Sequence, residues 1–237
     1  MKITCVSDVH GRYEFGWPRA DVLVLAGDVL PNFSGNKRGD TRTQQKYFES
    51  TFLPLVDKLK SAVYEDIIII PGNHDTLFAY ETLEVKEAFD ELGIHFLVNR
   101  HVEVQGKLFW GSPWTPWFHG DRWVFNLPDP KKVGLDVAAA TAAKMYGDIR
   151  SETDVIITHG PPKGILDYVP SCDKYAGCPE LLEAIERIKP ALSIFGHIHE
   201  GAGIQMGAEK APNTTFINAS ICTATYKATN PVQIVEL

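Results

Sequence analysis

Four consecutive isoleucines, residues 67–70, run straight into Pro71-Gly72-Asn73-His74-Asp75. A strand alternates its side chains between two faces, so an apolar run without polar alternation has to be covered on both. That puts residues 67–70 in the interior of a mostly parallel sheet and makes an α/β fold the expectation. The chain then breaks at Pro71-Gly72 and presents an amide, an imidazole and a carboxylate in succession. Three adjacent polar side chains cannot all be satisfied in an apolar interior. They form either a turn, a common use of Asn and Asp, or a site in the crevice beyond the strand ends, where open α/β sheets bind ligands. On this stretch alone the two readings stand level.

Four more apolar segments end in the same manner. Residues 2–7 lead to Asp8-Val9-His10-Gly11, in which Asp8 and His10 share a face if extended. Residues 21–26 lead to Gly27-Asp28, residues 154–158 to His159-Gly160-Pro161-Pro162, and residues 192–195 to Gly196-His197-Ile198-His199-Glu200. One histidine at a strand end is ordinarily a hydrogen-bonded structural residue. Several carboxylates and imidazoles buried together without partners would be very costly, and divalent cations remove that cost. The donors are carboxylate oxygen, amide oxygen and imidazole nitrogen, which suits Mn first, with Fe, Zn, Ni or Co as alternatives, over Ca or hydrated Mg. The donors outnumber what one ion with open positions needs, so two metals are expected.

Between these tips the periodicities are simple. Tyr47, Phe48, Thr51, Phe52, Leu55, Val56 and Leu59 recur at helical spacing, and Pro54 should kink or restart that helix. Residues 32–43, rich in Gly, Asn and charge, read as a loop beside the site. Leu83, Val85, Ala88, Phe89 and Leu92 make a short amphipathic helix closed by Gly93. From Ile94 the rhythm changes to short strands at 95–98, 102–104 and 107–111, with a turn at Gln105-Gly106. With 215–218 and 232–236 these suggest a second, partly antiparallel sheet. Residues 137–146 are alanine-rich and helical, and Pro179 opens a further helix that Pro190 stops. Trp110, Trp114 and Trp117 crowd a Pro-rich loop that ends at His119. Trp110 reads as an apolar plug, whereas Trp114, Trp117 and His119 are candidates to face the cleft and stack on an aromatic group. Arg12 is either a phosphate contact or a solvated arginine.

Composition excludes several classes. With 237 residues, 44% hydrophobic and 22% charged, the chain reads as one domain, 1–237. A formal net charge of −7 gives no electrostatic support for extended nucleic-acid or anionic-membrane binding. No apolar run approaches membrane-spanning length, and the first residues read directly as a strand rather than a leader. Cys5, Cys172, Cys178 and Cys222 lack a Cys-x-x-Cys spacing and read as reduced thiols of a cytoplasmic protein, although Cys172 and Cys178 are close enough in sequence to pair.

The ordered series Asp8-x-His10, Gly27-Asp28, Gly72-Asn73-His74-Asp75, His159 and Gly196-His197-x-His199 resembles the calcineurin-like metallophosphoesterases. The resemblance implies a four-layer αββα sandwich with two mixed sheets. It implies a first ion held by Asp8, His10, Asp28 and His199, and a second held by Asp28, Asn73, His159 and His197, with Asp28 between them. Thr158-His159-Gly160-Pro161-Pro162, Gly177-Cys178 and Asn218-Ala219-Ser220-Ile221-Cys222 are similar to one branch, the small single-domain enzymes like the mammalian metallophosphoesterase-domain-containing proteins. That branch is linked to phosphodiesterase activity, cyclic nucleotides included. The protein phosphatase branch fits less well: where it has aspartate-arginine-glycine, this chain has Leu30-Pro31-Asn32, and Pro71 stands where it has an arginine.

The resulting expectation is a phosphodiesterase acting on a small diester through a hydroxide shared by two cations. Once the ligands are assigned, His74 remains as general acid, with Asp75 either orienting it or serving as a turn residue. Asn73, Trp114, Trp117, His119 and Arg12 are candidate substrate contacts. A phosphomonoesterase is the alternative, and a non-catalytic metal-binding scaffold a more distant one.

Overall fold

The parallel strands sort their side chains by parity. In the computed structural model, β1 (Lys2–Val6), β2 (Val22–Ala26), β3 (Asp66–Ile70) and β4 (His95–Phe96) run parallel in one sheet. The structure describes residues 1–32, 37–118 and 123–237, with residues 37–39 described in backbone only. Leu23, Leu25, Ile67 and Ile69 face outward into a core shared with Phe48, Phe52, Val56, Phe78 and Phe89. Val22, Val24, Ile68 and Ile70 face inward, against Phe109, Val155, Ile157, Ile194 and Ile217. Both parities are therefore buried, which is why no polar alternation interrupts the isoleucines.

The outward core is roofed by helices α1 (Lys37–Tyr47), α2 (Leu53–Ala62), α3 (Thr76–Tyr80) and α4 (Thr82–Glu91). The inward core meets a second sheet made of β5 (Arg100–Val104), β6 (Lys107–Ser112) and β7 (Val155–Thr158), followed past a small hairpin, β8 (Tyr168–Val169) and β9 (Lys174–Tyr175), by β10 (Leu192–Phe195), β11 (Gly203–Ala208) and β12 (Ala211–Asn218). Its order is β11-β12-β10-β7-β6-β5, with the central four strands parallel and the two edges antiparallel. After a short α5 (Pro130–Val133), α6 (Leu135–Gly147) and α7 (Pro179–Ile188) cover the far face, where Ile156, Phe195, Leu181, Ile185, Tyr146 and Trp110 pack together. Three cores separate four layers, helix–sheet–sheet–helix. Trp110 is a plug in the third, with its ring 6.0 Å from that of Tyr146.

Several local expectations change. The stretch 32–43 is not all loop, because α1 begins at Lys37; residues 33–36 lie outside the described residues. Pro54 does restart the helix: a π-helical turn, Phe48–Phe52, precedes α2, whose first turn holds the proline where no N–H is needed. Residues 95–96 join the first sheet beside β3 rather than the second. The last strand, β13 (Gln233–Glu236), pairs antiparallel with β1, again in the first sheet, so the chain returns to cover the edge left by its own first strand. Its alternating half-buried pattern is that of an edge and carries no information about which sheet it joins. All four cysteines are free, so Cys172 and Cys178 do not pair.

Candidate metal centre

The parallel strands of both sheets end on one side. Their ends are stitched together where Ser7, just after β1, bridges Ser220, just after β12: Ser7 N donates to Ala219 O at 2.8 Å and Ile221 N to Ser7 O at 2.8 Å. Over that seam the backbone turns sharply. Asp8, His10, Asp28 and His197 all have left-handed φ, at 53°, 46°, 53° and 68°. Non-glycine residues rarely adopt that region, and where they do the strain clusters at functional sites. Two glycines admit the carboxylates. A Cβ at Gly72 would lie 2.2 Å from Asp28 Oδ1, and one at Gly196 would lie 2.1 Å from Asp8 Oδ2.

Each carboxylate divides its oxygens between structure and site. Asp8 Oδ2 accepts the His197 N–H at 2.9 Å and the Ser220 hydroxyl at 2.8 Å. Asp8 Oδ1 is buried without a well-formed hydrogen bond and faces His199 Nε2 at 3.3 Å. Asp28 Oδ1 accepts the His74 N–H at 2.7 Å. Its Oδ2 faces Nε2 of His159, His10 and His74 at 3.4, 3.8 and 3.9 Å.

The imidazoles are oriented to match. Nδ1 of His10 lies 3.0 Å from Asn32 Oδ1, Nδ1 of His159 lies 3.0 Å from Ala26 O, and Nδ1 of His199 lies 2.9 Å from Thr223 O. An oxygen acceptor at Nδ1 fixes the proton there and leaves the Nε2 lone pair for a cation, the usual support for a ligating histidine. His10 Nε2 and His199 Nε2 face each other at 3.3 Å, and Asn73 Oδ1 lies 2.9 Å from His159 Nε2. Asn73 Nδ2 is a buried polar atom with no partner.

Three overlapping groups result: Asp8, His10 and His199; His10, Asp28 and His74; and Asp8, Asp28 and His159. For metal–donor bonds of about 2.1 Å, neighbouring donors sit about 3.0 Å apart in an octahedron and about 3.4 Å apart in a tetrahedron. Three of the separations, 3.3–3.4 Å, are already those edges, and the 3.8 and 3.9 Å from Asp28 Oδ2 to His10 and His74 are somewhat wider, so the donor set fits divalent cations. The field is also right. Burial pulls His159 down, but Asp28 outweighs it and lifts the imidazole to about 9. Burial likewise opposes a charge on His199, and Asp8 lifts it to about 9. A field that stabilises a proton at those nitrogens stabilises a cation between them. His10, pushed down to about 4, and His197, down to about 3, are neutral by burial. His197 stands outside the three groups, its ring 5.2 Å from that of His159.

The cleft above these groups has a volume of about 260 Å³ and is lined by Asp28, Asn73, His74, His197 and His199, with Phe118, Trp123, Glu200 and Tyr226 as walls. His74 lies against Trp123, ring centroids 4.2 Å apart, and burial lowers its pKa while Asp28 opposes that. Asp75 does not orient it. The Asp75 carboxylate is fully buried and accepts the backbone N–H groups of Gly72 (2.8 Å), Leu30 (2.9 Å) and Val29 (3.3 Å). A carboxylate filled by three amides ties the β2 and β3 tips together and leaves His74 to other partners. Burial first and Asp28 second push it up to about 7.

The expected substrate contacts are redistributed. Arg12 is not among the residues lining the cleft, and its Nη1 donates to His10 O at 3.3 Å. Trp114 packs on Phe125 and the third core rather than on the cleft. Trp117 lines a neighbouring cavity. His119 lies outside the described residues. Sequence reading missed Phe118, Trp123 and Tyr226 as walls, together with two supporting residues, Ser220 and Gln44. Gln44, buried in α1, donates to His74 O (2.8 Å) and Pro31 O (3.1 Å) and accepts from Thr76 Oγ1 (2.9 Å) and Leu77 N (3.0 Å). Nothing in a Thr-Gln-Gln-Lys run marks which glutamine turns inward. Asn218-Ala219-Ser220 did carry a signal as a matching motif, without a role attached.

The model of the calcineurin-like phosphoesterases matches residues 1–201, a span that holds every tip from Asp8 to His199. The chain belongs to the calcineurin-like phosphoesterase family. Relatives agree: metallophosphoesterase domain-containing protein 1 of Homo sapiens and that of Mus musculus are each 33% identical over 259 aligned positions, covering 100% of this chain and 71% of theirs. Among solved structures, one crystal structure superposes with a TM-score of 0.63 at 17% identity, covering 99% of this chain and 98% of the other. TT1561 of Thermus thermophilus superposes at 0.52 and 14% identity, covering 92% and 88%. At those identities the likeness is one of fold. As a calcineurin-like phosphoesterase the chain is a metal-dependent phosphoric ester hydrolase, and family and His/Asp cluster together point to a dinuclear divalent-metal site. Among the described residues no helix is long and apolar enough to cross a membrane.

Proposed function

We propose that this phosphoesterase is a phosphodiesterase for small diesters, cyclic nucleotides among them. The observation that carries the reading is the character of the cleft beyond the metal-binding side chains. Its described walls are Phe118, Trp123, Ala224, Tyr226 and Glu200, with no Lys or Arg among them. A monoester dianion brings a further charged oxygen that needs a cationic partner, and Glu200 repels it. A diester monoanion brings an organic substituent in place of that oxygen, and aromatic walls accept one.

The roles follow the donors. Asp8, His10, Asp28 and His199 would hold one ion; Asp28, Asn73, His159 and His197 the other, with Asp28 common to both. The absence of thiolate from this oxygen–nitrogen set favours manganese first, then iron, zinc, nickel or cobalt. Bound there, two divalent cations supply Lewis acidity to the phosphoryl oxygens and acidify a water at neutral pH. His74 holds a proton at Nε2 for the departing alkoxide, a contribution of roughly 10²–10⁴-fold. Four free thiols support a reducing, cytoplasmic setting.

The test is a matrix of metals against substrates: bis-p-nitrophenyl phosphate, p-nitrophenyl phosphate, and 2′,3′- and 3′,5′-cyclic nucleotides. Metal-dependent turnover of diesters well above the monoester is the expected result. A clear monoester preference across all metals would sink the diesterase assignment.

A further inference from the structure

The metal cleft leaves little room beyond the phosphoryl group for a bulky ester substituent. Its volume of about 260 Å³ falls below the roughly 300–1,000 Å³ of pockets that take complete small molecules. A second cavity of about 620 Å³ adjoins it and shares the Phe118, His197 and Glu200 walls. The rest of this second cavity is built from Pro116 and Trp117 on one side and from the β8–β9 hairpin on the other, with the cross-strand pair Val169 and Lys174 on its face and Cys172 in the hairpin loop.

The hairpin's presence is hard to explain as packing. Its two strands are two residues each, and Tyr168 and Tyr175 are 40% and 57% exposed, their rings 5.2 Å apart. It is nonetheless anchored firmly. Asp167 is buried, and its Oδ2 accepts Gly164 N at 3.0 Å and Gly177 N at 2.8 Å, while Cys178 N donates to Pro161 O at 2.9 Å. The anchoring segment runs directly from the Gly-Pro-Pro turn after His159, so the hairpin is held in fixed relation to the metal-binding tips.

We propose that this second cavity is the subsite for the retained ester substituent of the diester, and that the substituent it takes is a flat aromatic group such as a nucleobase carried on its sugar. This rests on the diesterase reading above. His74, the proton donor to the leaving oxygen, lines the metal cleft on the Trp123 and Tyr226 side and does not line the second cavity. In an acyclic diester the leaving group therefore belongs on the His74 side, and the substituent that stays on phosphorus points past Phe118 and His197 into the second cavity. Trp117 offers a face on which a base stacks. Lys174 supplies a donor for a base or sugar oxygen without placing a cation beside the phosphoryl group.

The experiment varies the retained group while the leaving group stays p-nitrophenolate. Methyl p-nitrophenyl phosphate and thymidine 5′-(p-nitrophenyl phosphate) are compared on wild type, Trp117→Ala and Trp117→Phe, the last of which keeps an aromatic face and should stay near wild type on both. Loss of a stacking face should lower kcat/KM about tenfold or more on the thymidine diester, mainly through KM, and change the methyl diester by less than about twofold. Equal losses on the two substrates, or none on either, overturn the subsite.

A binding readout separates this from the diesterase reading. Cys172 is the exposed thiol, whereas Cys5, Cys178 and Cys222 are buried. Thymidine 5′-monophosphate should slow alkylation of Cys172 by N-ethylmaleimide, followed by mass spectrometry, and inorganic phosphate should not. Protection without diester turnover by wild type keeps the subsite and removes the diesterase assignment. Diester turnover without protection, and with no dependence on the retained group, does the reverse.

Discussion

The two sheets bring different chemistry to the same cleft. The tips of β1, β2 and β3 carry Asp8, Asp28 and Asn73, with His10 and His74 among them, while the tips of β7 and β10 carry the imidazoles of His159, His197 and His199. The close pairs cross from one sheet to the other: Asp28 to His159 at 3.4 Å, Asp8 to His199 at 3.3 Å, and Asn73 to His159 at 2.9 Å. The first sheet alone assembles one of the three groups, His10, Asp28 and His74, and each of the other two needs an imidazole from the second. The carboxylates alone would repel one another, and the imidazoles alone would lack the negative charge that draws a divalent ion. Assembling the sheets assembles the site, and the seam between Ser7 and Ser220 lies directly beneath it.

Breaking the comparison hardest means removing the side chain proposed to serve both ions. In Asp28→Asn the isosteric amide oxygen can still accept the His74 N–H, so the β3 tip is preserved while the anionic charge is lost. We expect both metals to be depleted and kcat/KM to fall by about 10³-fold or more, against a smaller loss and depletion of one metal in His10→Ala. Elemental analysis after desalting, beside steady-state rates, measures this. Equal metal content in the two variants would contradict a shared role for Asp28.

His74 tests whether the first sheet supplies more than ligands. His74→Ala keeps the backbone N–H that Asp28 uses, so both metals should remain. Turnover of a cyclic nucleotide, whose ribose alkoxide is a poor leaving group, should drop about 10²–10⁴-fold. Bis-p-nitrophenyl phosphate should lose far less, because p-nitrophenolate departs without a proton. Uniform loss with missing metal would move His74 into the ligand set, an outcome its 3.9 Å distance to Asp28 Oδ2 makes worth measuring.

These expectations also mark what a sequence can carry. The strands were legible because two-sided burial writes itself as unbroken Val, Ile and Leu. The tips were legible because carboxylates and imidazoles gathered at such strand ends are too costly to bury unless a cation pairs with them. Which sheet β4 and β13 join was not legible, since pairing is decided by distant partners and not by the pattern along the strand. The role of Asp75 was left open between two readings for a related reason. Adjacency to His74 in sequence suggested contact, whereas the sharp turn sends the carboxylate back to the amides of Val29, Leu30 and Gly72. The aromatic walls escaped because Phe118, Trp123 and Tyr226 come from irregular segments whose apolar residues look like any loop plug.

A smaller effect belongs to the seam. Ser220 donates to Asp8 Oδ2 at 2.8 Å and lies 2.7 Å from Asn218 Oδ1, so it holds a first-sheet carboxylate from the second sheet. In Ser220→Ala the His197 N–H still holds that oxygen at 2.9 Å. We expect metal affinity to fall about 10–100-fold, with turnover recovered by excess metal. Titration of the metal-stripped protein followed by rate measurement gives the result, and an unrecovered loss of kcat would point to a role beyond holding Asp8.

The least effect on chemistry is expected at Asp75, and it separates two roles for one residue. If its carboxylate only gathers backbone amides, Asp75→Asn replaces one accepting oxygen by an NH₂ that faces a donor, leaving a buried amide unsatisfied. That should cost about 1–3 kcal/mol of stability, read as a lower denaturation midpoint. Below the transition, kcat should stay within about threefold of wild type, and the ratio of cyclic-nucleotide to bis-p-nitrophenyl phosphate turnover should not move. A residue that oriented His74 would behave otherwise: its loss would misdirect the proton and reproduce the leaving-group dependence of His74→Ala at reduced amplitude. The ratio, not the absolute rate, is the deciding quantity, because a partly unfolded sample lowers both activities together and leaves their quotient alone.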